Sequence, residues 1–314
     1  MNAKELLFWL SKIIILSILY IPIWILGSMA VSGHIPEALG DPGLVNEIAG
    51  MFILSFINTI LIIGLIVSSR WHGWRLTLLL GLAFYGSFTF ITQVETWYFL
   101  ADLTVSPELL PRLFIMGLPT PFLFIPLAIA ICGRWKRKET SVHHPYMVMP
   151  TKQLFLKLGI ISVLYVIIYW LAGYFIAWQN PELRAFYGSE GAITPFGQHT
   201  LTTFSQDPGL ILLQLIRGLL FALIAAPVIS GSMVSPRITA LLVACLLAFP
   251  HLGHILSNPL IPEASVRMSH MIETTTSTFV FGLIIVWLLH RKHSGYKDLF
   301  AKNASVLKST NIVI

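Results

Sequence analysis

The run Ile48-Ala-Gly-Met-Phe-Ile-Leu-Ser-Phe-Ile-Asn-Thr-Ile-Leu-Ile-Ile-Gly-Leu-Ile-Val-Ser-Ser69 lies between Glu47 and Arg70 and holds no charged residue. A helix rises about 1.5 Å per residue, so some 20 apolar residues cross a hydrocarbon layer roughly 30 Å thick. Only a helix or a closed barrel satisfies its own backbone hydrogen bonds in that layer. The run therefore reads as a membrane-spanning helix. Working outward, the same reading gives seven more spans, at about residues 7–30, 74–93, 113–131, 154–178, 210–229, 238–255 and 271–289. Gly, Pro and charge punctuate them, as loops require.

Composition agrees with this. Hydrophobic residues make up 56% of the 314, and charged residues only 11%, against about 25% in soluble domains. With a mean hydropathy of +0.79, the chain is neither a soluble enzyme, a disordered chain nor a disulfide scaffold. The expected fold is an all-α integral membrane protein of eight transmembrane helices. Lys4 and Ser28-Met29-Ala30 also suit a cleaved signal peptide, but the apolar stretch between them is long for one, so it is read as a retained span.

Charge sets the expected topology. An even number of spans leaves both termini on one side, and that side collects sixteen of the 20 basic residues, from Lys4 and Arg70 to Arg134, Arg237, Lys297, Lys302 and Lys308. Only Glu5, Glu139 and Asp298 oppose them there, while eleven acids lie on the other side. Positive loops stay cytoplasmic, so both termini are expected inside, in a plasma or bacterial-type inner membrane. The basic pI follows from topology, and nucleic acid is not an expected partner; the lipid bilayer is. Cys132 and Cys245 fall near the cytoplasmic half, where free thiols are expected.

Four sequence pairs recur in order at offsets of roughly 145 to 166 residues. Leu19-Tyr20, Trp24 and Gly27 match Leu164-Tyr165, Trp170 and Gly173; Asp41-Pro-Gly-Leu44 matches Asp207-Pro-Gly-Leu210; Pro107-Glu108 with Arg112 matches Pro262-Glu263 with Arg267; and Phe122-Leu-Phe124 matches Phe279-Val-Phe281. They divide the chain into two tandem four-helix repeats in parallel orientation, 1–133 and 153–293, joined by a basic cytoplasmic linker, 134–152, and followed by a cytoplasmic tail, 294–314. The shared Asp-Pro and Glu-x-x-x-Arg pieces read as scaffold, with Pro in a first helical turn, Ser106 as a cap, and Arg four residues after Glu as an i,i+4 pair.

Features present in one half only are the better functional candidates. Phe249-Pro-His251-Leu-Gly-His254 ends the seventh span, and His270-Met-Ile-Glu273 begins the eighth. Each pair is spaced i,i+3 and so shares a helix face. The spans run in opposite directions, which brings all four side chains to similar depth in the outer leaflet. Ionisable residues at such depth are costly and often functional. His251, His254, His270 and Glu273 are the expected metal ligands, for zinc or another transition metal, with haem the weaker fit. Arg267 and Glu95 stand beside them as candidate catalytic residues with Glu273, Glu95 reaching over from the first half. Arg217, within the sixth span, needs a partner, and Glu47 is the nearest analogue. Trp97, Tyr98, Trp178 and Tyr187 read as an outer aromatic belt. The loop at 179–206 reads as an ordered cap over the His end, with a lid as the functional option.

Glu108-Leu-Leu-Pro-Arg112 and His254-Ile-Leu-Ser-Asn258 are fragments similar to motifs of CAAX-processing intramembrane proteases, but Pro107 replaces the paired glutamate, the middle motif is missing and the spacing is too long. No family membership follows. Three function classes stay open: a metal-dependent membrane enzyme or redox protein acting on a small-molecule or lipid substrate, a secondary transporter using His270, Glu273 and Arg217, and a non-catalytic subunit bound to a protein partner.

Overall fold

The computed structural model describes residues 3–36, 40–101, 103–136, 146–189 and 191–295. Eight helices are long and apolar enough to cross a membrane: α1 Ala3–Val31, α2 Glu47–Ser68, α3 Gly73–Leu100, α4 Leu109–Ile131, α5 Thr151–Gln179, α6 Pro208–Gly231, α7 Pro236–Ile255 and α8 Ala264–Leu289. Among the described residues there is no strand, only an isolated antiparallel bridge between Ser69 and Ser232. Every expected span is present. The differences are at the ends: α3 runs on to Leu100 and α8 starts at Ala264, so Glu95 and His270 sit within spans, joining Glu273, which the expected eighth span already includes. Polar residues at those ends are packed against other helices, which hydropathy alone does not register. The 137–145 part of the linker, with His143-His144-Pro145, and the tail from 296, with Lys297, Lys302 and Lys308, lie outside the described residues.

Helices pack through small residues. A Cβ at Gly282 in α8 would stand 2.6 Å from the Ala244 Cα of α7, and one at Gly218 in α6 would stand 2.9 Å from the Ser162 Cα of α5. Such close approach is how helices gain contact in lipid, where apolar burial gives little net drive. Tyr165 lies between the rings of Phe221 and Phe281, at 5.1 and 4.8 Å between centroids. The first and second halves meet where the Ser87 hydroxyl donates to the Leu246 carbonyl and where Arg70 N and Met233 N donate to Gly231 O and Ser68 O. At the end opposite the His cluster, the Lys157 ammonium donates to the carbonyls of Leu288 and Arg291 and so completes the C-terminus of α8.

Two scaffold expectations need correction. Arg267 does not pair with Glu263. Its guanidinium donates to four backbone carbonyls, those of Ile261, Pro262, Asp41 and Pro42. Likewise Arg112 donates to Ala30 O. A guanidinium offers five donors in a fixed fork, and the turning chain around it presents carbonyls that no helix satisfies. Nor do the two Asp-Pro-Gly-Leu copies do the same job. Asp207 caps α6 by accepting from Leu210 N, but α2 is capped by Asn46, and Asp41 Oδ2 accepts from Ala264 N at the start of α8. Ser106 Oγ does accept from Leu109 N, as expected of a cap.

Candidate functional site

Alternate spans run in opposite directions, so the C-terminal ends of α1, α3, α5 and α7 and the N-terminal ends of α2, α4, α6 and α8 come together. They enclose a cavity of about 790 Å³ to which all eight spans contribute. The two short helices of the connecting loop, Pro181–Phe186 and Phe196–Gln206, add Leu183, His199 and Thr203 to its wall. The loop is therefore the ordered cap expected of it.

Local sequence explains how the polar residues reach this wall. Behind Pro250, α7 tightens into a 3₁₀ turn over Phe249–Ile255. At three residues per turn, His251 and His254 lie one above the other. His251 is buried, and the His254 ring lies 6.3 Å from that of His270, centroid to centroid. In α8, His270 Nδ1 is 3.5 Å from Glu273 Oε2. His270 Nε2 is 3.0 Å from the Tyr187 hydroxyl. Tyr187 lies outside the spans, and burial raises its phenol well above the ordinary range, helped by the charges of Glu95 and Glu273. It thus stays a donor at neutral pH. An imidazole that accepts from Tyr187 at Nε2 presents its Nδ1–H to Glu273. The other carboxylate oxygen, Oε1, faces Gly173, where a Cβ would stand 3.8 Å away.

In α3, a π turn at Gly86–Phe90 shifts the register of everything after it. Glu95 then meets Arg217 across the halves, Oε1 to Nη2 at 2.6 Å. Arg217 is 1% exposed, donates to Gln214 Oε1 at 2.8 Å, and has Tyr165 and Tyr169 rings 5.3 and 5.9 Å from its guanidinium carbon. Glu47, the partner expected from sequence, instead accepts from the Ser257 amide and hydroxyl. Glu95 is the better partner because it approaches at the depth of Arg217.

The structure thus brings His251, His254, His270, Glu273 and Glu95 to one cavity wall and leaves Arg267 outside it, in its cage of carbonyls. Among the described residues, no three His, Cys, Asp or Glu side chains converge closely enough to hold a metal ion as they stand. His270 is already engaged at both ring nitrogens, so it would have to release Glu273 or Tyr187 to bind one. Sequence reasoning missed Tyr187 as a site residue, having assigned it to the aromatic belt. It also missed Asn58 and Gln93, each with a buried side-chain oxygen that has no partner. Polar residues inside apolar runs were the available signal for both.

Together these features define a multi-pass, all-helical membrane protein with a His- and Glu-lined cavity inside its helix bundle. Compared with known families, curated proteins and solved structures, the chain matches no family model, no curated protein and no solved structure.

Proposed function

We propose that this chain is a membrane-embedded hydrolase acting on an amphipathic substrate, with Glu273 as general base. The observation that carries the reading is the Tyr187–His270–Glu273 chain of contacts on the wall of a largely apolar cavity. A carboxylate held by an oriented imidazole takes a proton from water as the water oxygen bonds to an acyl carbon of the substrate. The same proton then passes to the leaving oxygen or nitrogen as its bond to that carbon breaks. His251 and His254 stand on the facing turn as donors for the oxygen that gains charge. The basic side of the chain supports cytoplasmic termini and a site in the outer leaflet, and the four matched sequence pairs support a tandem duplication in parallel orientation.

The test is turnover of a membrane lipid extract by protein in nanodiscs, followed by mass spectrometry. Glu273→Gln should lower product formation by at least about 10²-fold, the usual range for a general base. Undiminished turnover in that variant overturns the reading. Elemental analysis belongs beside it: a stoichiometric ion that disappears with His251→Ala would replace water activation by Glu273 with a metal site at His251, His254, His270 and Glu273. The Glu95–Arg217 pair, which ties α3 to α6 across the halves, favours a second reading as a proton-coupled transporter. Uptake into proteoliposomes that is lost in Glu273→Gln would establish it.

A further inference from the structure

The chemistry of the cavity wall also bears on what enters it, and this inference rests on the hydrolase reading only for the fate of the ligand. Three carboxylates line the wall, Glu47, Glu95 and Glu273, and among its described residues there is no Lys or Arg. The cations nearby stand off the wall: Arg217 pairs with Glu95 and lies behind it, while Arg112, Arg184 and Arg267 donate to backbone carbonyls. The unpartnered Nε atoms of Arg217 and Arg184 belong to residues that do not line the cavity. A phosphate or carboxylate head would enter against negative charge with no Lys or Arg on the described wall to meet it.

The unsatisfied groups point the same way. Asn58 Oδ1 and Gln93 Oε1 are both acceptors, both buried and both without a donor. Asn58 itself is 7% exposed, and its amide nitrogen is already committed to Tyr20. A buried acceptor left unpaired costs roughly 1–3 kcal/mol, so each of these oxygens calls for a donor from a ligand or water. The rest of the wall is strongly aromatic, with Tyr169, Trp170, Tyr174 and Trp178 on the second-half side. Ring faces attract cations. Ile21, Trp24, Met51, Leu54 and Phe88 of α1, α2 and α3 add an apolar stretch beside Asn58, Gln93 and Glu95 of the same helices. A cavity of about 790 Å³ falls within the range that takes one ligand of drug size.

We propose that the cavity binds a single-chain amphiphile with a protonated amine head, the ammonium N–H groups meeting the carboxylates and the orphan acceptors Asn58 and Gln93, and the chain lying along the apolar and aromatic residues of the wall. An amine fits better than a quaternary ammonium because the orphan oxygens accept hydrogen bonds and a methylated nitrogen donates none.

The experiment is binding without turnover, in nanodiscs, read by tryptophan fluorescence against empty nanodiscs. The probes are tetradecylamine, tetradecyltrimethylammonium, tetradecanol and tetradecyl phosphate. Tetradecylamine should half-saturate at least tenfold below each of the others, and Glu273→Gln and Asn58→Leu should each erase most of that margin. Gly173→Leu, which fills the space beside Glu273, should weaken all four probes together. Equal or tighter binding of the phosphate overturns the proposal, as does an amine margin that survives both polar substitutions. His270→Gln separates this from the hydrolase reading: it should abolish turnover while leaving the amine margin in place. In that variant, turnover that persists overturns the hydrolase reading alone, and an amine margin that disappears overturns the amine proposal alone.

Discussion

Glu95 on α3 and Arg217 on α6 meet at 2.6 Å inside the bundle, 122 positions apart in sequence, and so tie the third span to the sixth. Removing one partner from a buried pair leaves the other charge uncompensated, at a cost of about 3–5 kcal/mol. Glu95→Gln and Arg217→Met should each lower the thermal midpoint sharply. Replacing both, as Glu95→Leu with Arg217→Met, should recover most of that loss, since an apolar pair of similar volume is often neutral. Additive losses in the double variant would show that the two residues do not act as a pair.

Arg267 holds four carbonyls from two segments, at 2.6 to 3.0 Å, and does not reach the cavity. Its role is to fasten the loop before α2 to the start of α8, and through α8 to position His270 and Glu273. Arg267→Ala should destabilise by roughly 2–4 kcal/mol, because several buried acceptors lose their donor at once. Arg267→Lys should recover only part, since one ammonium cannot span the fork. The pH profile of turnover should be unchanged in the lysine variant. A displaced profile there would make Arg267 part of the chemistry.

How much of this was legible beforehand depends on range. The spans follow from local composition, so all eight were readable. Short i,i+3 spacings with a short connecting loop foretold that His251, His254, His270 and Glu273 would line one cavity, though not that they would stop short of converging on a single point. Long-range partners were not readable. Glu95 and Arg217 choose each other by depth and by the π turn at Gly86–Phe90, which moves Glu95 around its helix in a way that regular 3.6-residue spacing does not anticipate. Tyr187 was misassigned for a related reason: an aromatic residue near a membrane surface has the same local signature whether it faces lipid or a histidine. Arg267 was expected to pair with Glu263 because i,i+4 charges are readable, whereas the carbonyls it takes from Asp41 and Pro42 are not.

His199, on the short helix Phe196–Gln206, lies against Tyr174 and Trp178, with both ring centroids 5.3 Å away. Burial there holds its pKa below the ordinary 6.5. The folded state then takes up the proton less readily than the unfolded one. The stability owed to this contact is full above pH 6.5, falls as the pH drops from 6.5 towards the lower folded value, and changes no further below it. A Trp178→Phe difference spectrum should report the transition as a fluorescence change with its midpoint below 6.5. His199→Gln should remove it. A midpoint at or above 6.5 would mean that the short helix does not shield the ring.

Gly282 links packing to the site most directly. It faces Ala244, and a Cβ would lie 2.6 Å from the Ala244 Cα and 2.9 Å from its backbone nitrogen. Backbone cannot yield as a flexible side chain can, so Gly282→Ala must push α8 away from α7. These are the two helices that carry His251 and His254 on one side and His270 and Glu273 on the other. Overpacking of this kind costs about 1–3 kcal/mol, and misplacing reacting groups by about 1 Å can cost about 10²-fold in rate. The substitution should therefore lower turnover more than its loss of stability explains at a temperature where the protein stays folded. Gly218→Ala meets Ser162 in the same way at 2.9 Å, but joins α6 to α5. It should cost similar stability with a smaller effect on rate. Equal rate losses in the two variants would mean that the α7–α8 spacing is not what sets the geometry of the His–Glu cluster.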